Sequence, residues 1–78
     1  MNDRISALVL SSELYRDSDS LLSVLTPEYG LLRLIAKGSA RIDSKNRFLP
    51  FCLYEAIIDY REGKDLFTVR SGKLLESF

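Results

Sequence analysis

Residues 20–37 read Ser20-Leu-Leu-Ser-Val-Leu-Thr-Pro-Glu-Tyr-Gly-Leu-Leu-Arg-Leu-Ile-Ala-Lys37, and this stretch decides the fold class. Two apolar runs flank a turn. In the first, from Ser20 to Thr26, Leu22 and Val24 fall opposite Leu21 and Leu25. In the second, from Leu31 to Lys37, Leu32, Leu34 and Ala36 share one face, and Leu31, Arg33, Ile35 and Lys37 share the other. Period two is the signature of a strand. Between the runs, Pro27 presets φ and Gly30 accepts a positive φ at no steric cost. The stretch therefore predicts a β-hairpin, with Leu32, Leu34 and Ala36 toward the core.

Working outward, Ile5 to Tyr15 alternates as well, with Ile5, Ala7 and Val9 on one face. It ends in a polar stop, Arg16-Asp17-Ser18-Asp19. On the other side, Phe51 to Tyr60 is the strongest strand. Cys52, Tyr54, Ala56, Ile58 and Tyr60 share a face, and aromatic and branched side chains suit a pleated surface. A charged turn around Gly63 leads to a fifth strand from Leu66, with Phe67 and Val69 inward, expected to bend at Gly72 and continue. Residues 38–50 lack periodicity and read as a long loop with room for one helical turn from Asp43 or Ser44, which Pro50 would stop at about Leu49. Five strands in 78 residues, with one long connection between the third and fourth, predict an all-β, five-stranded OB-type barrel, a single domain over 1–78. An SH3-like barrel is the competing architecture. Closure removes the edges that so small a sheet would otherwise expose.

Composition narrows the function. Eleven cations balance eleven carboxylates, so neither a histone-like basic module nor an acidic tail is present. No apolar run approaches the ~20 residues that span a bilayer, so the chain reads as cytoplasmic, with no membrane partner. With no His and one Cys, neither an intrachain disulfide nor a catalytic triad can be assembled, and a zinc site has almost no ligands. The expectation is a binding protein rather than an enzyme, without metal, cofactor or small-molecule substrate. Cys52, between Phe51 and Leu53, reads as a small buried hydrophobe. Tyr54 and Phe67 read as core, Tyr15 and Tyr29 as partly exposed beside turns, and Glu55 as a rim carboxylate or the partner of an Arg.

Charge is uneven along the chain. Arg33, Lys37, Arg41, Lys45 and Arg47 face only Asp43 within residues 33–47, a local excess of four cations that the remainder of the chain cancels. A basic strand face running into a basic loop offers point charges spaced along a track, as a nucleic-acid backbone requires. An exposed tyrosine, Tyr29, would add a stacking platform.

Several short motifs, in order, resemble the N-terminal OB domain of the RecO family of bacterial recombination mediators. Tyr15-Arg16-Asp17-Ser18-Asp19 resembles the family's Tyr-x-x-Ser-Asp turn. Leu25-Thr26-Pro27-Glu28-Tyr29-Gly30 resembles its Phe/Leu-Thr-x-x-x-Gly hairpin, and Ala36-Lys37-Gly38 its Ala-Lys-Gly. Leu49-Pro50-Phe51 resembles its Gln-Pro-Phe, and Leu74-Leu75-Glu76-Ser77-Phe78 its apolar-Glu-Ser-Phe close. Departures fall in the basic loop: Ser39-Ala40 displaces the cation after Lys-Gly to Arg41, and Leu49 replaces a Gln. The resemblance implies DNA repair and recombination: binding of single- and double-stranded DNA, strand annealing, docking on RecR, and loading of RecA onto strands coated by single-strand-binding protein. It implies DNA contacts at Lys37, Arg41, Lys45 and Arg47, then Arg33, with Tyr29 as the exposed aromatic. Docking on RecR with little DNA affinity is the alternative. It also implies an isolated N-terminal domain, the family's helical domain and four-cysteine zinc site lying outside these residues. Leu74, Leu75 and Phe78 would then lack a packing surface.

Overall fold

The computed structural model describes residues 2–38 and 48–78. It contains five strands: β1 (Asn2–Tyr15), β2 (Asp19–Thr26), β3 (Gly30–Ala36), β4 (Cys52–Asp59) and β5 (Leu66–Ser77). They form a closed barrel in the order β1-β2-β3-β5-β4, the arrangement expected of an OB-type barrel. The helical turn considered within 38–50 falls largely outside the described residues.

Closure depends on β1, which serves two neighbours in succession. Its first half, Asn2 to Leu8, pairs antiparallel with β4. Its second half, Leu8 to Tyr15, pairs with β2. An extra residue between Val9 and Ser11 marks the change of direction, as bulges do where a strand bends. The other closing seam is parallel: Arg33, Leu34 and Ile35 of β3 lie beside Leu66, Phe67 and Thr68 of β5.

The core follows the alternation. Ile5, Ala7 and Val9 of β1, Leu22 and Val24 of β2, Leu34 and Ala36 of β3, Cys52, Tyr54, Ala56 and Ile58 of β4, and Phe67 of β5 form one buried cluster. Cys52, Tyr54 and Phe67 thus take the core places expected of them. Ile35 lies on the opposite face of β3 from Leu34 and is nevertheless buried, outside that cluster. Flanking strands place Leu21 and Thr68 on either side of it.

Several strand boundaries shift from the sequence reading, two of them for a visible reason. β1 begins at Asn2 rather than Ile5, because β4 supplies ladder partners for the polar start. β4 begins at Cys52, because Phe51 sits at φ 61°, outside strand geometry. The Phe51 N–H donates to the Val9 carbonyl (2.7 Å) and its own carbonyl accepts from Phe78 (3.1 Å), which holds the chain reversal against the barrel.

Candidate nucleic-acid interface

β3 and the residue after it carry two of the expected cations. Arg33 is at mid-strand, level with Ser23 of β2 and Leu66 of β5, and it is exposed. Lys37 follows the last residue of the strand and is exposed too. At ~3.3 Å per residue the two lie about 13 Å apart on one outward face. Among the described residues neither forms an ion pair. The ion pairs there use other arginines: Arg4 with Glu55 (3.7 Å), and Arg61 and Arg70 with Asp59 (3.6 and 3.2 Å). Glu55 therefore has the Arg partner expected of it.

The described residues on either side of the basic segment 39–47 are held in fixed positions. Before it Gly38, at φ 72°, donates its N–H to Asp19 Oδ1 (2.9 Å). After it Phe48 is buried and packs on Tyr54, ring centroids 4.9 Å apart at 60°. The Leu49 N–H donates to the Tyr54 hydroxyl (2.8 Å). Burial raises the Tyr54 pKa, and the bond from Leu49 opposes it. Phe48 also lies over Gly72 so closely that a Cβ there would sit 2.5 Å from its Cε1. Gly72 of β5 is thus the seat for Phe48. Arg41, Lys45 and Arg47 lie outside the described residues, between these two anchors.

Tyr29 occupies the other end of β3, roughly 25 Å along the strand from Lys37. Its turn is built by Thr26, whose Oγ1 accepts from the Tyr29 N–H (3.0 Å) and donates to the Gly30 carbonyl (2.9 Å). The Tyr29 ring stacks on Tyr60 (4.3 Å, 13°), and Tyr60 stacks on the core residue Phe67 (4.9 Å, 18°). The phenol donates to Asp3 Oδ2. That bond, then burial and the charges of Asp3 and Glu28, push its pKa up to about 12. Glu28 also accepts from the Ser6 N–H (3.3 Å), so this turn is clipped to β1. Tyr29 is 38% exposed, as expected of a turn aromatic, yet its surroundings are acidic. Arg33 therefore lies midway along β3, with Lys37 just past one end of the strand and Tyr29 just before the other, acidic end.

The outer surface holds a second feature that the alternation alone did not reveal. Cross-strand pairs share a face. Leu53 is paired with Leu8, Leu8 with Leu25, and Leu25 with Leu31. Four leucines consequently form one row across β4, β1, β2 and β3 on the outside of the barrel. Leu25 and Leu31 are 48% and 66% exposed, and Leu8, Leu25 and Leu53 line an apolar cleft beside Pro27.

A barrel of this order, with a basic connection between its third and fourth strands, invites comparison with known proteins. The family model described as "Recombination protein O N terminal" matches residues 1–78. This chain belongs to the RecO N-terminal family. The DNA repair protein RecO of Heliobacterium modesticaldum is 41% identical over 75 residues, which is 96% of this chain and 28% of that protein. The RecO of Desulforamulus reducens is 30% identical over 77 residues, 96% of this chain and 29% of that protein. The RecO of Nitrosococcus oceani is 47% identical over 49 residues, 59% of this chain. The chain spans less than a third of the length of these relatives. Among the described residues of this RecO-family barrel no helix is long and apolar enough to cross a membrane, and no three candidate metal ligands lie together.

Proposed function

We propose that this chain is a non-catalytic, DNA-binding OB domain of a recombination mediator, acting in DNA repair and homologous recombination. It would serve strand annealing and the loading of RecA together with RecR on strands coated by single-strand-binding protein. The observation that carries this reading is the exposed pair of cations, Arg33 on β3 and Lys37 just past its end, free of carboxylate partners among the described residues and followed in sequence by the basic residues of 39–47. Lys37, just past the strand, and Arg41, Lys45 and Arg47 after it hold phosphates, with Arg33 next in line. Tyr29, at the far end of β3, takes a base on its stacked ring. Charges along a track read the backbone rather than base edges, so binding is weakly sequence-selective and falls steeply with salt.

The test is fluorescence anisotropy of a labelled single strand of about 30 nucleotides, long enough to exceed the site of one OB fold. It is titrated at several salt concentrations beside a triple Arg41→Glu, Lys45→Glu, Arg47→Glu variant. Four phosphate contacts predict a log–log salt slope of about −3. Steep salt dependence that disappears in the folded variant supports the assignment; absence of binding at low salt, or equal binding by the variant, refutes it.

The leucine row favours a second reading, in which the barrel docks on RecR and contributes little DNA affinity of its own. An apolar row spanning four strands on the outside of a barrel is a feature of interaction surfaces.

A further inference from the structure

β5 carries two residues more than β4 can pair, Leu75 near its end and Arg70 at mid-strand. Ile57 is opposite Ser71 and Ile58 is opposite Val69, which leaves Arg70 without a ladder partner. Val69 packs against the core. In a regular strand, exposed and buried positions would alternate beyond it. Here both Arg70 and Ser71 are exposed, because the bulge re-aims the extra side chain outward. On the other side of β5 the pairing is parallel, Ile35 with Thr68. Two residues further along both chains, Lys37 comes level with Arg70. The two cations, with Ser71, line one small pocket whose other walls include Phe48 and Gly72.

We propose that Arg70, with Lys37 and Ser71, forms a phosphate subsite between β3 and β5, a contact that the linear charge pattern of residues 33–47 does not contain. The inference rests on the DNA-binding reading above and extends its track onto a second strand. The chemistry is selective for an anion. Lysine offers a point charge, arginine a planar fork of five N–H donors, and serine a hydroxyl. Asp59 takes an Arg70 N–H at 3.2 Å and orients the guanidinium, leaving other donors for a ligand. Asp19, beside Lys37 on the β2 side, has Oδ1 engaged by the Gly38 N–H. Phe48 is buried, so the pocket offers no open aromatic face to a base, and the backbone rather than a base is the moiety that fits. The seat of Phe48 and the subsite share Gly72.

The experiment compares Arg70→Gln, Arg70→Lys and the double Arg33→Gln, Lys37→Gln variant with the parent chain, using the same labelled single strand across a salt series. Circular dichroism checks each fold; Arg70 is largely exposed and tolerates replacement. Arg70→Gln is expected to weaken binding and to flatten the log–log slope by about 0.7 to 1, the loss of one phosphate contact. Arg70→Lys is expected to keep the slope and lose part of the affinity, because the charge remains and the fork does not. A slope and affinity unchanged in Arg70→Gln, while the double variant binds poorly, would overturn the subsite and leave the β3 track standing. No binding by the parent chain at low salt would overturn both.

Discussion

Gly72 and Tyr29 show how single residues carry consequences that their types do not announce. Gly72 is required for space rather than for backbone freedom, since a methyl group there would enter the Phe48 ring. Gly72→Ala is expected to lower stability by about 1–3 kcal/mol, the usual cost of overpacking, measured as a shift of the denaturant midpoint. It should also weaken DNA binding by loosening the loop's anchor. A midpoint unchanged within error would show that Phe48 yields freely. Tyr29 presents a pH signature. Its pKa of about 12 lies above the ordinary 10.0 because the neutral phenol donates to Asp3. Below pH 10 the phenol keeps its proton in both folded and unfolded chains, so that bond contributes fully. As pH rises toward 12 the unfolded chain releases the proton first, and the contribution disappears. The stability advantage of the parent chain over Tyr29→Phe should therefore be constant from neutral pH up to pH 10 and shrink between pH 10 and 12. A gap that stays flat across that window would contradict the Asp3 bond.

At the scale of elements, pairing turns ordinary alternation into surfaces. Sequence alone puts Leu25 and Leu31 opposite the core face of their strands, and the hairpin register sets them side by side. The further pairings of β1 with β2 and β4 extend them into a row with Leu8 and Leu53. If that row is a docking surface, Leu25→Lys with Leu31→Lys should abolish capture by purified RecR. Both side chains are exposed, so stability should change by no more than about 0.5 kcal/mol per site. Undiminished capture by the folded double variant would place docking elsewhere. The bulge in β5 belongs to this scale as well. The strand itself is legible in the alternation, whereas the extra residue at Arg70 exists only relative to β4.

For the whole molecule, zero net charge conceals an arrangement with distinct ends. The end that carries the β2–β3 turn holds Asp3, Glu28 and the stacked tyrosines, while Lys37 and both anchors of the basic loop occupy the other. Sequence reading found the local cation excess, since charge density along a chain is a linear property. It added Tyr29, eight positions before Lys37, as an exposed aromatic beside a turn. An extended strand converts those positions into the height of the barrel, and the aromatic and the lysine finish at opposite rims.

Strand identity, the hairpin, the core residues and the RecO-type order of motifs were all determined by the sequence itself. Burial on one face of a strand imposes period two on neighbours in the chain, and turn residues carry their own backbone preferences. The tertiary structure alone decided how β1 divides its pairing between β2 and β4, where Phe48 seats, which leucines align, and that Arg70 meets Lys37. Each of these depends on the register between segments far apart in sequence. A one-residue slip exchanges the faces of a strand without altering its composition, so no local pattern can specify it.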